Sequence, residues 1–157
     1  MSKFASNTSV STEASRAEIE RTLTRYGADH FAYASSRTKA TVMFEVNGRT
    51  VRFELHLPNP ADVEFTHSNH LNPRERTPKA AYEAWEQACR QKWRALNLVI
   101  KAKLEAIESD ITTFDDEFMA HLVLPSGDTV SEYLTPRLEA AYKSGKMPGF
   151  PMLAAPK

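Results

Sequence analysis

The side chains able to do chemistry fall into three groups. Arg90, Arg94 and Lys101 recur at one- and two-turn spacing, with no acid between Arg90 and Lys103. Cations at that spacing share one side of a helix, where they would contact phosphates or an acidic protein surface. Arg21 and Arg25, also one turn apart, and Arg52 are expected to add to this basic strip. The simpler account is a solvated face whose long aliphatic stems pack on the core. The second group is acidic: Glu45 and Glu54, the latter followed by Leu55-His56, lie on successive extended segments where two carboxylates could hold Mg²⁺. The third is the pair His67 and His70. Two imidazoles without a neighbouring Cys fall short of the four ligands of a tetrahedral zinc site, so loop histidines are expected. The single cysteine, Cys89, sits on an apolar helical face and reads as a buried, reduced thiol. No G-x-S-x-G, Walker or dinucleotide glycine pattern occurs. The sequence therefore assigns no catalytic residue, no metal ligand and no cofactor.

The element that must position most of these groups is a long helix over 78–109. Thr77-Pro78 opens it with an N-cap and a proline at the first helical position. Tyr82, Trp85, Cys89, Leu96, Ile100 and Ile107 share a face, and Leu96, Leu98, Val99 and Ile100 together span most of the circumference. A helix apolar all round is covered on several sides, so this one is expected in the middle of the fold. Lys92 and Lys103 fall within the apolar stripe. The acids Glu105, Glu108, Asp110, Asp115, Asp116 and Glu117 follow the bases, the reverse of what a helix dipole favours.

Upstream, Ser15 to Glu18 fits a capping box for a helix over 16–26, with Ile19, Leu23 and Tyr26 as its stripe and Gly27 behind it. Three strands follow over 30–35, 39–46 and 49–57. Asn47-Gly48 is a two-residue hairpin turn, which sets Phe44 opposite Val51, Val42 opposite Phe53 and Ala40 opposite Leu55. The other face carries Thr41, Met43, Glu45, Thr50, Arg52, Glu54 and His56. The stretch 58–77 is a long, proline-punctuated loop, of the kind that is functional or disordered. Thr113 caps a short helix through Phe118, and 122–124 fits either its continuation or a strand. Thr129 to Glu132 is a capping box for a last helix, which Pro136 should kink or restart and Gly145 end. The class is α+β: an N-terminal helix, a three-stranded antiparallel sheet, a long central helix and short C-terminal helical elements. One domain is expected over 13–145, between a mobile Ser/Thr-rich tail over 1–12 and a proline-rich tail over 146–157.

The chain's 157 residues carry 20 Lys+Arg and 20 Asp+Glu. Net neutrality argues against a simple duplex-binding protein while leaving room for a local basic patch. No apolar run approaches the roughly 18 residues of a membrane span. The first twelve residues lack a signal-peptide core, so a cytoplasmic location is expected.

Residues 93–130 (WRALNLVIKAKLEAIESDITTFDDEFMAHLVLPSGDTV), 19–28 (IERTLTRYGA) and 46–55 (VNGRTVRFEL) resemble segments of a family of short, mostly uncharacterised bacteriophage and prophage proteins. The resemblance covers about half the chain, in the family's order, and leaves out the 58–77 loop. It brings no catalytic motif. It implies a small non-catalytic binding protein acting in the host bacterial cytoplasm through a protein or nucleoprotein partner. Such a protein is an accessory to phage DNA transactions or an inhibitor of a host complex such as a defence system; direct nucleic-acid contact is compatible with either. Two other comparisons share the helix–three strands–helix order. Double-stranded-RNA-binding domains open their second helix with a basic cluster, where this chain has Pro78-Lys79-Ala80-Ala81. A degenerate PD-(D/E)xK-like nuclease core would use Glu45 and Glu54, with His56 in place of the lysine.

Overall fold

The computed structural model describes residues 8–68 and 71–146. His70 and most of the proline-rich tail lie outside them, as do residues 1–7. The chain runs as helix α1 (Thr12–Arg25), strands β1 (Ala28–Ser35), β2 (Lys39–Val46) and β3 (Arg49–His56), and a short helix α2 (Val63–Thr66). The long helix α3 (Pro78–Glu108) follows, then α4 (Phe114–Phe118), a 3₁₀ turn (Met119–His121) and α5 (Val130–Ser144). The class is α+β, as the sequence patterning requires.

The sheet order is β1-β2-β3, all antiparallel. Asn47 and Gly48 both take positive φ, 50° and 72°, the geometry of a type I′ turn. That turn sets Phe44 against Val51, Val42 against Phe53 and Ala40 against Leu55. Ala40, Val42, Phe44, Val46, Val51 and Phe53 are buried on one face. They pack on Ile19 and Leu23 of α1, on Trp93, Leu96, Ile100 and Leu104 of α3, and on Phe118 of α4. The Phe118 ring stands edge-on to both Phe44 (5.8 Å) and Phe53 (6.2 Å), a favoured aromatic geometry.

Several local expectations change in the structure. The first helix begins a turn earlier than its capping box predicts. Ser11 is the N-cap, accepting from Ala14 N, and Ser15 is fully buried inside the helix. Residues on the N-terminal side of α1 are tied down from Thr8, whose carbonyl accepts from Gln87. Helix α3 is not covered all round: Val99 is 45% exposed. Lys103 reaches out of the apolar stripe to the carboxylate (3.0 Å) and carbonyl (2.7 Å) of Glu117. Helix α3 ends at Glu108, so Glu105 and Glu108 stay in its last turn against the dipole, while the acids from Asp115 on fall on a new helix. Asp115, Asp116 and Glu117 occupy the first turn of α4, where the helix dipole favours them. The 58–77 stretch is partly regular, with α2 and a bridge between His67 and Glu75. Leu122 bridges to Val51 and Val123 to Thr129, so this segment leaves the 3₁₀ turn and extends the β3 edge. Thr129 and Glu132 form the expected capping box, and Gly145 ends α5 at φ 65°. Pro136 is accommodated within one continuous helix rather than restarting it.

Candidate cationic ridge between α1 and α3

Arg94 and Lys101 are seven residues apart on α3, about two turns and 10 Å along its axis. A single carboxylate lies between them. Glu18 of α1 sits 2.6 Å from Arg94 and 3.2 Å from Lys101. Asn97, on the same α3 face, is fully buried beside it, as is Ser15 one turn before Glu18. The Asn97 amide and the Ser15 hydroxyl have no hydrogen bond of good geometry. Burial alone would raise the Glu18 pKa, but the polar groups of Asn97, Lys101 and Arg94 outweigh it and hold the carboxyl below its ordinary value.

The six cations expected as one strip are divided by the fold. Arg94 and Lys101 converge on Glu18. Arg90 turns back along its own helix to Glu86 (3.0 Å) and Gln87. Arg52 is held by Glu132 and by the Gly127 carbonyl (2.8 Å), at the start of α5. Arg21 and Arg25 are exposed on α1. The Arg25 guanidinium lies 5.2 Å from the centre of the Tyr26 ring, and Arg21 has no partner among the described residues. The structure brings Arg25 and Lys101 together. With Thr22, Tyr26, Leu98, Ala102 and Glu105 they line an open cleft of about 310 Å³ between α1 and α3. Tyr26 closes one side by donating to Glu108.

Glu18 escaped the sequence reading because its capping-box position explained it fully. The available signal was its spacing: Ser15, Glu18 and Thr22 follow one face of α1, beside the Ile19 and Leu23 stripe. A second feature that spacing along the chain does not reveal is the groove under the 58–77 segment. It encloses about 1250 Å³ between that segment and α3, with His56, His67, Arg76 and Lys92 among its walls. Phe65 is buried beneath it, the Phe65 carbonyl accepts from Arg76, and Trp85 donates to Pro58 O at 2.8 Å.

No family model, curated protein or solved structure matches this chain. Function must therefore be argued from its side chains. Among the described residues no three His, Cys, Asp or Glu side chains cluster to hold a metal ion. Glu45 opposes Thr50 and Glu54 opposes Thr41, four residues apart on the ladder, or roughly 13 Å. Glu54 is also engaged by Lys39 at 2.7 Å. His67 holds the Thr66 hydroxyl at 3.0 Å, and His70 lies outside the described residues. Cys89 is buried, which pushes its thiol pKa up and away from the nucleophilic thiolate. No helix among the described residues is long and apolar enough to cross a membrane.

Proposed function

We propose that this is a small non-catalytic binding protein of the phage type, acting through a protein or nucleoprotein partner. The roles open to it are accessory to phage DNA transactions and inhibitor of a host complex such as a defence system. The supporting observation is the α1–α3 ridge: Arg94 and Lys101 share one carboxylate, and Arg21 and Arg25 beside them have no acidic partner among the described residues. The ridge is locally cationic on a chain that is neutral overall. Local charge on a neutral body suits steering onto an acidic protein or nucleoprotein surface better than tracking a naked duplex.

The experiment is affinity capture from bacterial lysate, with and without nuclease, comparing the native chain with Arg21→Glu/Arg25→Glu. Those two residues are exposed and form no ion pair among the described residues, so circular dichroism should not change and Tm should move little. A partner retained after nuclease and lost from the double variant supports the reading. Equal capture by both proteins would remove the ridge as the site. Mg²⁺- or Mn²⁺-dependent cleavage of DNA or RNA, abolished by Glu54→Gln, would overturn the non-catalytic reading.

A further inference from the structure

We propose that the free edge of β1 is a self-association surface whose occupant is β1 of a second copy, paired antiparallel about Tyr33. This uses none of the ridge residues and stands apart from the proposed function.

The sheet order leaves β1 at an edge. The Ser36 amide donates to the Lys39 carbonyl at 2.7 Å, which fixes the alternation along the strand. His30, Ala32 and Ala34 turn their backbone groups toward β2, and Phe31, Tyr33 and Ser35 turn theirs outward. Among the described residues no backbone hydrogen bond reaches those three outward pairs of N–H and C=O. The opposite edge is treated differently. There Val123 N donates to Thr50 O at 2.8 Å and Leu122 bridges Val51, so the C-terminal segment covers part of β3.

Exposed edges are usually blunted by lysine, proline or a bulge. From Phe31 to Ser35 β1 carries none of these; its one irregularity lies upstream, between Ala28 and His30. The stretch is also held rigid. The Tyr33 hydroxyl donates to the Arg16 carbonyl (2.8 Å), and the Arg16 guanidinium lies 4.8 Å from the Tyr33 ring centre. A preorganised strand pays less to associate.

Charge selects the occupant and the register. Asp29 and Arg37 flank the outward-bonding stretch at its two ends. Both are exposed, and neither has a partner among the described residues. Two-fold antiparallel pairing about Tyr33 sets Phe31 against Ser35 and brings the bulge that holds Asp29 in each copy to the turn that holds Arg37 in the other. Centring on Ala32 or Phe31 would draw that bulge away from that turn by roughly 7 or 13 Å along the strands. The Tyr33-centred register gives about six backbone hydrogen bonds, brings two pairs of opposite charges together at its ends, and sets small Ala32 against Ala34 on the open face. It joins the two three-stranded sheets into one.

The test is sedimentation equilibrium of the native chain across a concentration series, with four variants. The native chain should show a concentration-dependent monomer–dimer equilibrium. Asp29→Arg and Arg37→Asp should each weaken dimerisation on the order of tenfold, and the double exchange should restore it. Ser35→Pro removes an outward N–H from an edge strand, where proline is tolerated, and should abolish the dimer with Tm and circular dichroism unchanged. A native chain that is monomeric throughout overturns the proposal. So does a dimer unaffected by Ser35→Pro, or a double exchange that fails to restore association.

Discussion

Helix α3 has two working sides, and they are built from opposite materials. Toward the sheet it presents Trp93, Leu96, Ile100 and Leu104 to Val42, Phe44, Phe53 and Phe118, all buried and apolar. Toward α1 it presents Arg94, Asn97 and Lys101 to Glu18. The apolar side stabilises by area removed from water, which is non-directional and indifferent to charge. The polar side stabilises little on balance, because burying Asn97 and Ser15 without good partners offsets what the ion pairs contribute. Its effect is directional: two cations two turns apart meet one carboxylate in a single axial register of α1. One side of the helix thus holds the fold together, and the other fixes how α1 lies and leaves charge near the surface.

Breaking the apolar side should have the largest effect. Leu96→Asp puts an unpaired charge into the core and should abolish the cooperative thermal transition. Phe118→Ala, which empties the space beside the two sheet phenylalanines, should cost about 3–5 kcal/mol by denaturant titration. An unchanged midpoint for either would mean that α3 and α4 do not carry the core.

The polar side should respond more weakly, and to pH. Glu18→Gln leaves Arg94 and Lys101 facing each other across a neutral amide and should cost on the order of 1–2 kcal/mol at neutral pH. Because the native pKa of Glu18 is held down, its contribution is complete above the unfolded carboxylate value of about 4.3. It disappears as pH falls through the native value. The native chain and Glu18→Gln should therefore converge in stability under acid. Parallel curves across that window would show that the seam carries no charge-linked stability.

His121 sharpens the same contrast from the sheet side. Its ring lies 4.0 Å from that of Phe53. Burial, with the Lys103 charge beside it, holds its pKa below the ordinary value against the Arg52 backbone group that favours the imidazolium. The unfolded chain then takes up the proton first, so stability should begin to fall as pH drops below about 6.5. His121→Phe should remove that early loss and leave the lower one at Glu18 in place.

Helix α5 gives the smallest effect. None of its residues is buried, and Leu138 and Tyr142 are 49% and 89% exposed. Tyr142→Ser should leave Tm unchanged. A clear fall would reveal that this face is covered in solution.

By itself the sequence determined whatever depends on near neighbours. Alternation and Asn47-Gly48 set the β2–β3 register pair by pair. Thr77-Pro78 started α3, and Thr129 with Glu132 started α5. These are local choices of dihedral angle and face, complete within a few residues. Where local signals competed, they misled. Ser15 fitted a capping box, yet Ser11 caps α1, because the helix starts a turn earlier and Ser15, on the side of Ile19 and Leu23, is buried inside it. Only the tertiary structure decided which acid meets which base. Arg94 and Lys101 looked like a free strip because their carboxylate lies 76 and 83 residues away in sequence. Arg52 and Glu132 meet across 80 residues for the same reason. Periodicity reports the face on which a charge sits, but its partner is fixed by how helices and strands cross in space. Once that packing has set Arg94 and Lys101 on the one carboxylate of Glu18, the cations of the ridge left without an acidic partner among the described residues are Arg21 and Arg25 of α1.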